Sequence, residues 1–549
     1  MNYKDLADLI FPNIDKTVDD YRKIYPERNL SENAKVTRFA PSPTGFVHLG
    51  GLYQAVICKL LAKTSDGIFY LRNEDTDKER ELDGAVKLIL DTLEYYQITP
   101  DEYQNGDIIV GNYGPYTQSE RKEIYQAFIK HFIEIGRAYP CFCSKEQLDN
   151  LREKQNKDKV RTGYYGTYAT CKNLSIDEAI ERIKSGEEYI IRFRSNGSEE
   201  KRFKFKDLVK GEVEFPENDL DIVIMKKDGL PTYHFAHLVD DYLMGTTHVV
   251  RGEEWLSSVP VHVELFKTLG VKSPKYIHTP LIMKKEAEGK YRKISKRKDP
   301  EATMSYYREH GYPTEAVIES LITIINSNYE EWHTANPDKN YLDFEYSPKK
   351  MSSSGALYDL DKLENISKNI ISKMTKEELC DKAYNWACSY SNDLKELIEL
   401  DKEYFMNVIN IEREQKKPRK DIAKYDEIID NIWYMYDDLF NNMKKEYEYQ
   451  NITDKNEIKL ILETYMTKYY DVSEKDIWFN NIKLLCDELG YASNMKEYKE
   501  DPSKFKGNIA DVSTVLRVAL TTKSMTPDLY EIMKLIGKDR IIARYNTNN

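Results

Sequence analysis

The chain has 549 residues and a formal net charge of −12, from 81 Lys and Arg against 93 Asp and Glu. That length calls for several domains with sizeable cores, and the acidity excludes a protein that coats nucleic acid indiscriminately while leaving room for local basic patches. No uncharged apolar run reaches membrane-spanning length, and seven scattered cysteines are too few for a disulfide scaffold.

Residues 1–34 read as a polar-to-amphipathic N-terminal extension. They lack the apolar core of a signal peptide, so the expected location is the cytoplasm, with no membrane association. Val36 to Ala40 reads as a buried strand, broken by Pro41, Pro43 and Gly45 into a loop. From Gly50 the apolar positions Leu52, Val56, Leu60 and Leu61 follow helical spacing until Gly67. Ile68 to Arg72 is a second strand, ending in the acidic turn Asn73 to Asp77. Strand, loop, helix and strand make a βαβ unit, which predicts an α/β fold with a doubly wound, Rossmann-like parallel sheet. Glu120 to Ile135 reads as a further helix.

After Gly136 the texture changes to a cysteine pair, a Lys-rich stretch and β-like runs such as Tyr189 to Phe193. Residues 137–215 are therefore expected to be a domain inserted between two halves of the sheet domain, 35–136 and 216–300. Leu220 to Met225 and Thr247 to Arg251 are predicted to return to the main sheet. Beyond residue 300 the chain is mostly helical, with a long apolar segment from Ala316 to Ile325. Near its end, Thr526 as N-cap, Pro527 in the first turn and Gly537 as the stop punctuate a last amphipathic helix.

Two segments carry the chemistry. Arg38-Phe-Ala-Pro-Ser-Pro-Thr-Gly-Phe-Val-His-Leu-Gly-Gly51 delivers a proline-stiffened loop to a helix start. Gly50 and Gly51 allow close approach of a ligand. The free amides and dipole there favour phosphate, and His48 can donate to a phosphate oxygen. Alone, this is an ordinary Pro/Gly loop with a surface histidine. The second segment, Lys293-Ile-Ser-Lys-Arg297, lies in a basic run from Lys284 to Lys298 opposed by Glu286 and Glu288. Such a run is usually a solvated face. Paired with the first segment, it suits a polyphosphate, with Lys293 and Lys296 as mobile point charges.

The two segments resemble the HIGH and KMSKS signatures of the bacterial-type glutamyl-tRNA synthetases, which are class I aminoacyl-tRNA synthetases. The turn Leu71 to Asp77, Gly114 to Arg121, Pro231 to Ala236 and Arg251 to Trp255 are similar to that family's motifs, in its order. The resemblance implies ATP-dependent ligation of L-glutamate to tRNA(Glu) through a glutamyl-adenylate, with Mg²⁺ on the phosphates, by a monomer. It leaves open whether tRNA(Gln) is charged as well. It assigns His48, Lys293 and Lys296 to catalysis, and adds Gly50, Gly51, Glu254, Trp255 and Ser295 to the ATP site. Glutamate falls to Arg38, Ser42, Glu74, Tyr233 and Arg251. Residues 137–215 would bind the acceptor end, 301–385 the tRNA stem and 386–549 the anticodon. His237 departs from the family pattern, in which Asn is usual.

Cys141, Cys143 and Cys171 are similar to a structural zinc site of some family members, with Tyr165 or Tyr168 as the fourth ligand. The same three cysteines are readable as unligated thiols. Lys350 to Gly355 imitates KMSKS but lacks its second lysine, and reads as a loop or the start of a helix. Two rival functions are a tRNA-binding paralogue without catalysis and a short relative that glutamylates a modified tRNA base. The intact His48, Lys293, Lys296, Arg38 and Arg251 argue against the first, and the long helical tail against the second.

Overall fold

Two short helices open the chain, α1 (Tyr3–Ile10) and α2 (Val18–Ile24), each started by a capping box. The structure is a computed structural model and describes residues 2–547 except 44, 78–81, 83 and 287. Thr44 of the signature loop therefore lies outside the described residues. The strand β1 (Val36–Phe39) is buried along its whole length. It leads through the loop to α3 (Leu49–Lys63) and then β2 (Ile68–Leu71). The helix expected from Glu120 starts as a 3₁₀ turn, Gln118–Arg121, and becomes α4 (Lys122–Glu134). The apolar sides of α1 and α2 (Leu6, Ala7, Phe11, Val18, Tyr21) share one core with Phe128 and Phe132 of α4.

Beyond α4 come the strands β3 (Ala138–Cys141), β4 (Ile190–Phe193), the hairpin β5 (Arg202–Asp207) and β6 (Gly211–Pro216), and β7 (Val223–Met225). After α5 (Tyr233–Leu243) come β8 (His248–Gly252), α6 (Val259–Leu269) and β9 (Lys275–Thr279). The main sheet has the order β9-β8-β1-β2, all parallel. The chain runs from β1 to β2 on one side and returns as β8 on the other. The carboxyl ends of β1 and β8 thus flank a topological switch point, where open α/β sheets bind ligands.

One predicted strand went elsewhere. Leu220 to Met225 was expected in the main sheet. Instead β7 pairs antiparallel with β4, which pairs antiparallel with β3, in a separate three-stranded sheet. The reason is packing: Ile224 and Met225 meet Ile191 and Phe193 in the core under α4. The edge of the main sheet at β9 is taken by the turn after β5, where Leu208 N–H donates to Tyr276 O at 2.9 Å. The expected strand Thr247 to Arg251 does return, as β8.

A small sheet follows, with β11 (Tyr291–Lys293) antiparallel to β10 (Ile282–Lys285), and β12 (Ala356–Leu357) parallel to β10 on its other edge. The segment Lys350 to Gly355 is the loop that feeds β12, not the start of a helix. The chain divides into two compact units, Met1–Tyr306 with Ile318–Asp359, and Tyr307–Val317 with Leu360–Asn549. The second is helical around a core that includes Trp433, Tyr465, Trp478, Leu516 and Ile532. Its helix Leu529–Ile536 stops at Gly537 as expected, but Asp528 is its N-cap rather than Thr526. The Asp528 carboxylate accepts from Glu531 N–H at 3.1 Å, whereas Thr526 Oγ1 donates to Pro527 O. Among the described residues no helix is long and apolar enough to cross a membrane.

Candidate active site

His48 is the N-cap of α3, its Nδ1 accepting from Gly51 N–H at 3.0 Å. That bond requires an unprotonated Nδ1, so the neutral ring carries its proton on Nε2 as an outward donor. Burial first, then the ammonium groups of Lys296 and Lys293, push His48 down to about 4. His48 is exposed as a residue, which softens the effect. The two signature segments, far apart in sequence, thus meet. A cavity of about 440 Å³ is lined by His48, Gly50, Gln54, Glu254, Lys293, Ser295 and Lys296, among others. Gly50 and Gly51 leave little room for a side chain: a Cβ on Gly50 would lie 3.1 Å from the His48 ring, and one on Gly51 3.3 Å from Val47.

The basic loop is clamped from below. Arg292 forks onto Asp299 with two bonds of 2.6 Å and reaches Glu286 at 2.7 Å. Asp299 also accepts from Ser295 N–H at 2.8 Å, and its carboxyl is held down to about 2, chiefly by the Arg292 hydrogen bonds. Lys284 pairs with Glu301. The acids opposing this run are therefore not only Glu286 and Glu288 but also Asp299 and Glu301. Among the described residues Lys293 and Lys296 have no carboxylate partner, nor do Lys285, Arg297 and Lys298; of these, Lys293, Lys296 and Arg297 line the cavity.

An adjoining cavity of about 670 Å³ shares His48, Gln54, Glu254 and Lys296 with the first. Arg38, Ser42, Glu74, Tyr233, Arg251 and Trp255 also line it. Arg38, at the end of β1, has its Nε 3.3 Å from Asp241 and donates through Nη1 to Val250 O at 3.1 Å. Arg72 donates to Glu74 at 3.0 Å and to Asp241 at 2.6 Å. Burial raises the Glu74 carboxyl against the pull of Arg72 and Arg38. Burial would also raise Asp241, but Arg72 and Arg38 overcome it and hold it well below the usual carboxylate range. Arg251, in β8, donates to Tyr233 Oη at 3.2 Å, and the Tyr233 ring lies 4.4 Å from the Trp255 ring.

His237 does not line either cavity. It is fully buried, 2.6 Å from Asp241 and hydrogen-bonded to Tyr276 Oη at 2.8 Å. The sequence reading missed Asp241, Gln54, His262 and His278. Asp241 had only a weak local signal, as one of two adjacent acids, Asp240 and Asp241, shortly after the motif Pro231 to Ala236. A lone histidine on α6 or β9 carries none.

The three cysteines come together away from these cavities. The Sγ atoms of Cys141, Cys143 and Cys171 all lie within 4.8 Å of one another. Hydrogen bonds from the neighbouring thiols hold Cys141 toward its thiolate. The tyrosine that joins them is neither Tyr165 nor Tyr168 but Tyr164, its Oη 3.5 Å from Cys141 Sγ and 3.3 Å from Cys143 Sγ. Tyr165 turns away to donate to Arg161 O at 2.6 Å, and the Tyr168 ring packs against Tyr165. The cause is local: Tyr164 is buried in the small core with Cys141 and Cys171, while the 3₁₀ turn Gly166–Tyr168 starts only after Tyr165.

The profile of the class I tRNA synthetases (E and Q), catalytic domain, matches residues 35–352, and that of an anticodon binding domain matches 378–547. The chain belongs to this class I tRNA synthetase family. It is 49% identical to a glutamate–tRNA ligase of Clostridium perfringens (strain SM101 / Type A), over 99% of each chain. It is 46% identical to one of Acetivibrio thermocellus, again over 99% of each. Among solved structures, a glutamate tRNA ligase from Elizabethkingia meningosepticum in complex with its amino acid superposes with a TM-score of 0.75 at 26% identity. That match covers 94% of this chain and 99% of the other.

Proposed function

We propose that this chain activates L-glutamate with ATP and transfers it to the 3′ end of tRNA(Glu). The observation that carries the reading is the meeting of His48 with Lys293 and Lys296 beside a cavity walled by Arg38 and Arg251. The glutamate α-carboxylate attacks the α-phosphate of ATP and pyrophosphate leaves. The terminal ribose hydroxyl of tRNA then attacks the carbonyl of the adenylate, and AMP leaves. No protein nucleophile is needed. Positioning and charge stabilisation supply the rate.

His48 Nε2–H and the two lysines serve the phosphates, with Gly50, Gly51 and Ser295 lining their path. Glu254 and Trp255 flank the nucleoside. Arg38 and Arg251 serve the two carboxylates of glutamate, Glu74 its ammonium, and Ser42 and Tyr233 its remaining polar atoms. Mg²⁺ enters as the counter-ion of ATP and neutralises phosphate charge. The described residues offer no carboxylate cluster for it.

The thiol cluster fits Zn²⁺: three sulfurs and one phenol converge, as a tetrahedral site requires. Cys141, Cys143, Cys171 and Tyr164 would hold the ion, tying β3 to the turn Thr170–Asn173. Its contribution is structural. Residues 137–215 serve the acceptor end, 301–385 the stem and 386–549 the anticodon, in a cytoplasmic monomer.

The test is transfer of labelled glutamate to purified tRNA(Glu), with ATP–pyrophosphate exchange measured with and without tRNA. ATP-dependent charging is expected. Binding of tRNA with no exchange under either condition overturns the reading in favour of a non-catalytic paralogue. Running tRNA(Gln) in parallel decides whether the acceptor range extends to it.

A further inference from the structure

The arginines around the amino-acid cavity are held in two different ways. Arg38 and Arg72 face Asp241, and Arg121 donates to Asp240 at 2.7 Å. Arg251 is only 4% exposed, yet it has no carboxylate partner among the described residues. Its Nε lies 3.0 Å from His278 Nε2 and its Nη1 lies 3.1 Å from His262 Nδ1. Its Nη2 is buried without a hydrogen-bond partner among the described residues, and the residue lines the cavity.

A guanidinium only donates. His278 Nε2 and His262 Nδ1 must therefore both accept, which fixes both tautomers. His278 carries its proton on Nδ1 and donates to Asp207 Oδ2 at 2.7 Å. Asp207, at the end of β5, is itself pinned by the amides of Val209 and Lys210, each at 2.8 Å. His262 carries its proton on Nε2 and donates to His234 Nδ1 at 2.9 Å. Neither ring can be protonated without losing its bond to Arg251. Burial pushes His262 well below its ordinary value and lowers His278 as well.

We infer that His262 and His278 are positioning residues for glutamate: their neutral rings hold Arg251 by lone pairs alone, so that its full charge meets the substrate carboxylate. The inference rests on the glutamate-activating function proposed above. A carboxylate in either place would make the same hydrogen bond but would neutralise the guanidinium in advance. The incoming substrate carboxylate would then compete with a resident one. A buried, uncompensated cation is costly in the free protein and is relieved only when an anion binds.

The test compares near-isosteric variants that differ in charge, in the full-length protein with tRNA present. Asn Oδ1 stands close to where imidazole Nδ1 stands, so His262→Asn keeps a neutral acceptor and His262→Asp supplies an anionic one. Glutamate and ATP KM are read from ATP–pyrophosphate exchange. The expected result is a glutamate KM for H262D at least about tenfold above that of H262N, with the ATP KM of the two equal. A glutamate KM for H262D no higher than for H262N overturns the inference, and so does a rise shared equally by ATP. Should H262N fail to fold, H278Q against H278E makes the same comparison at the other acceptor. Absence of glutamate-dependent exchange in the unmutated protein counts against the proposed function and is thereby distinguished from failure of this inference.

Discussion

Among the described residues Lys293 and Lys296 have no carboxylate partner, whereas Lys284 and Arg292, a few residues away, are engaged with Glu301, Glu286 and Asp299. One set of charges holds the loop and the other is left for a ligand. Lys296→Ala therefore removes a ligand contact and spares the clamp. It is expected to slow ATP–pyrophosphate exchange about 100-fold or more while leaving the glutamate KM within about twofold. A large loss of glutamate binding would contradict the assignment. At this scale the sequence was most informative where residue type and neighbours both spoke: His48 beside two glycines, and Lys293 and Lys296 in a basic run. It was silent where a role depends on which atom of a ring accepts. His262 and His278 look like ordinary core histidines until Arg251 is seen between them.

Elements were legible where periodicity and punctuation agreed. β1, α3 and β2 follow the predicted strand, loop, helix and strand, the strands to within a residue at their ends, while α3 stops at Lys63, short of the expected Gly67. β7 was misplaced because a short apolar run does not say which sheet it joins, and that was decided by the core it shares with Ile191 and Phe193. The fourth member of the thiol cluster was missed for a similar reason. Tyr164, Tyr165 and Tyr168 lie within five residues, and only the turn that follows decides which points inward. The cluster makes a prediction of its own. Cys143→Ser is expected to abolish one equivalent of bound zinc, read by elemental analysis, and to lower the thermal midpoint. A zinc content unchanged by that substitution, or absent from the unmutated protein isolated without chelators, contradicts the assignment.

For the whole molecule, buried and half-buried neutral histidines contribute to acid stability. Burial first, with nearby cations adding to it in most cases, holds His234, His237 and His248 at about 4 against an ordinary value of 6.5. Between those values the unfolded chain binds more protons than the fold, so stability rises with pH across the window and is lost as pH falls from 6.5 toward 4. For fully buried His237 the loss is on the order of 3 kcal/mol when complete. The thermal midpoint is therefore expected to fall steeply between pH 6.5 and 4, and a flat midpoint there contradicts the neutral buried rings.

The central claim is that two stretches nearly 250 residues apart in sequence enclose one polyphosphate. A crystal structure of the protein with a non-hydrolysable ATP analogue and glutamate tests it most directly. The expected density places the triphosphate between His48 Nε2 and the ammonium groups of Lys293 and Lys296, with a glutamate carboxylate on Arg251. Nucleotide bound elsewhere, with His48 and Lys296 both out of reach of its phosphates, contradicts the claim.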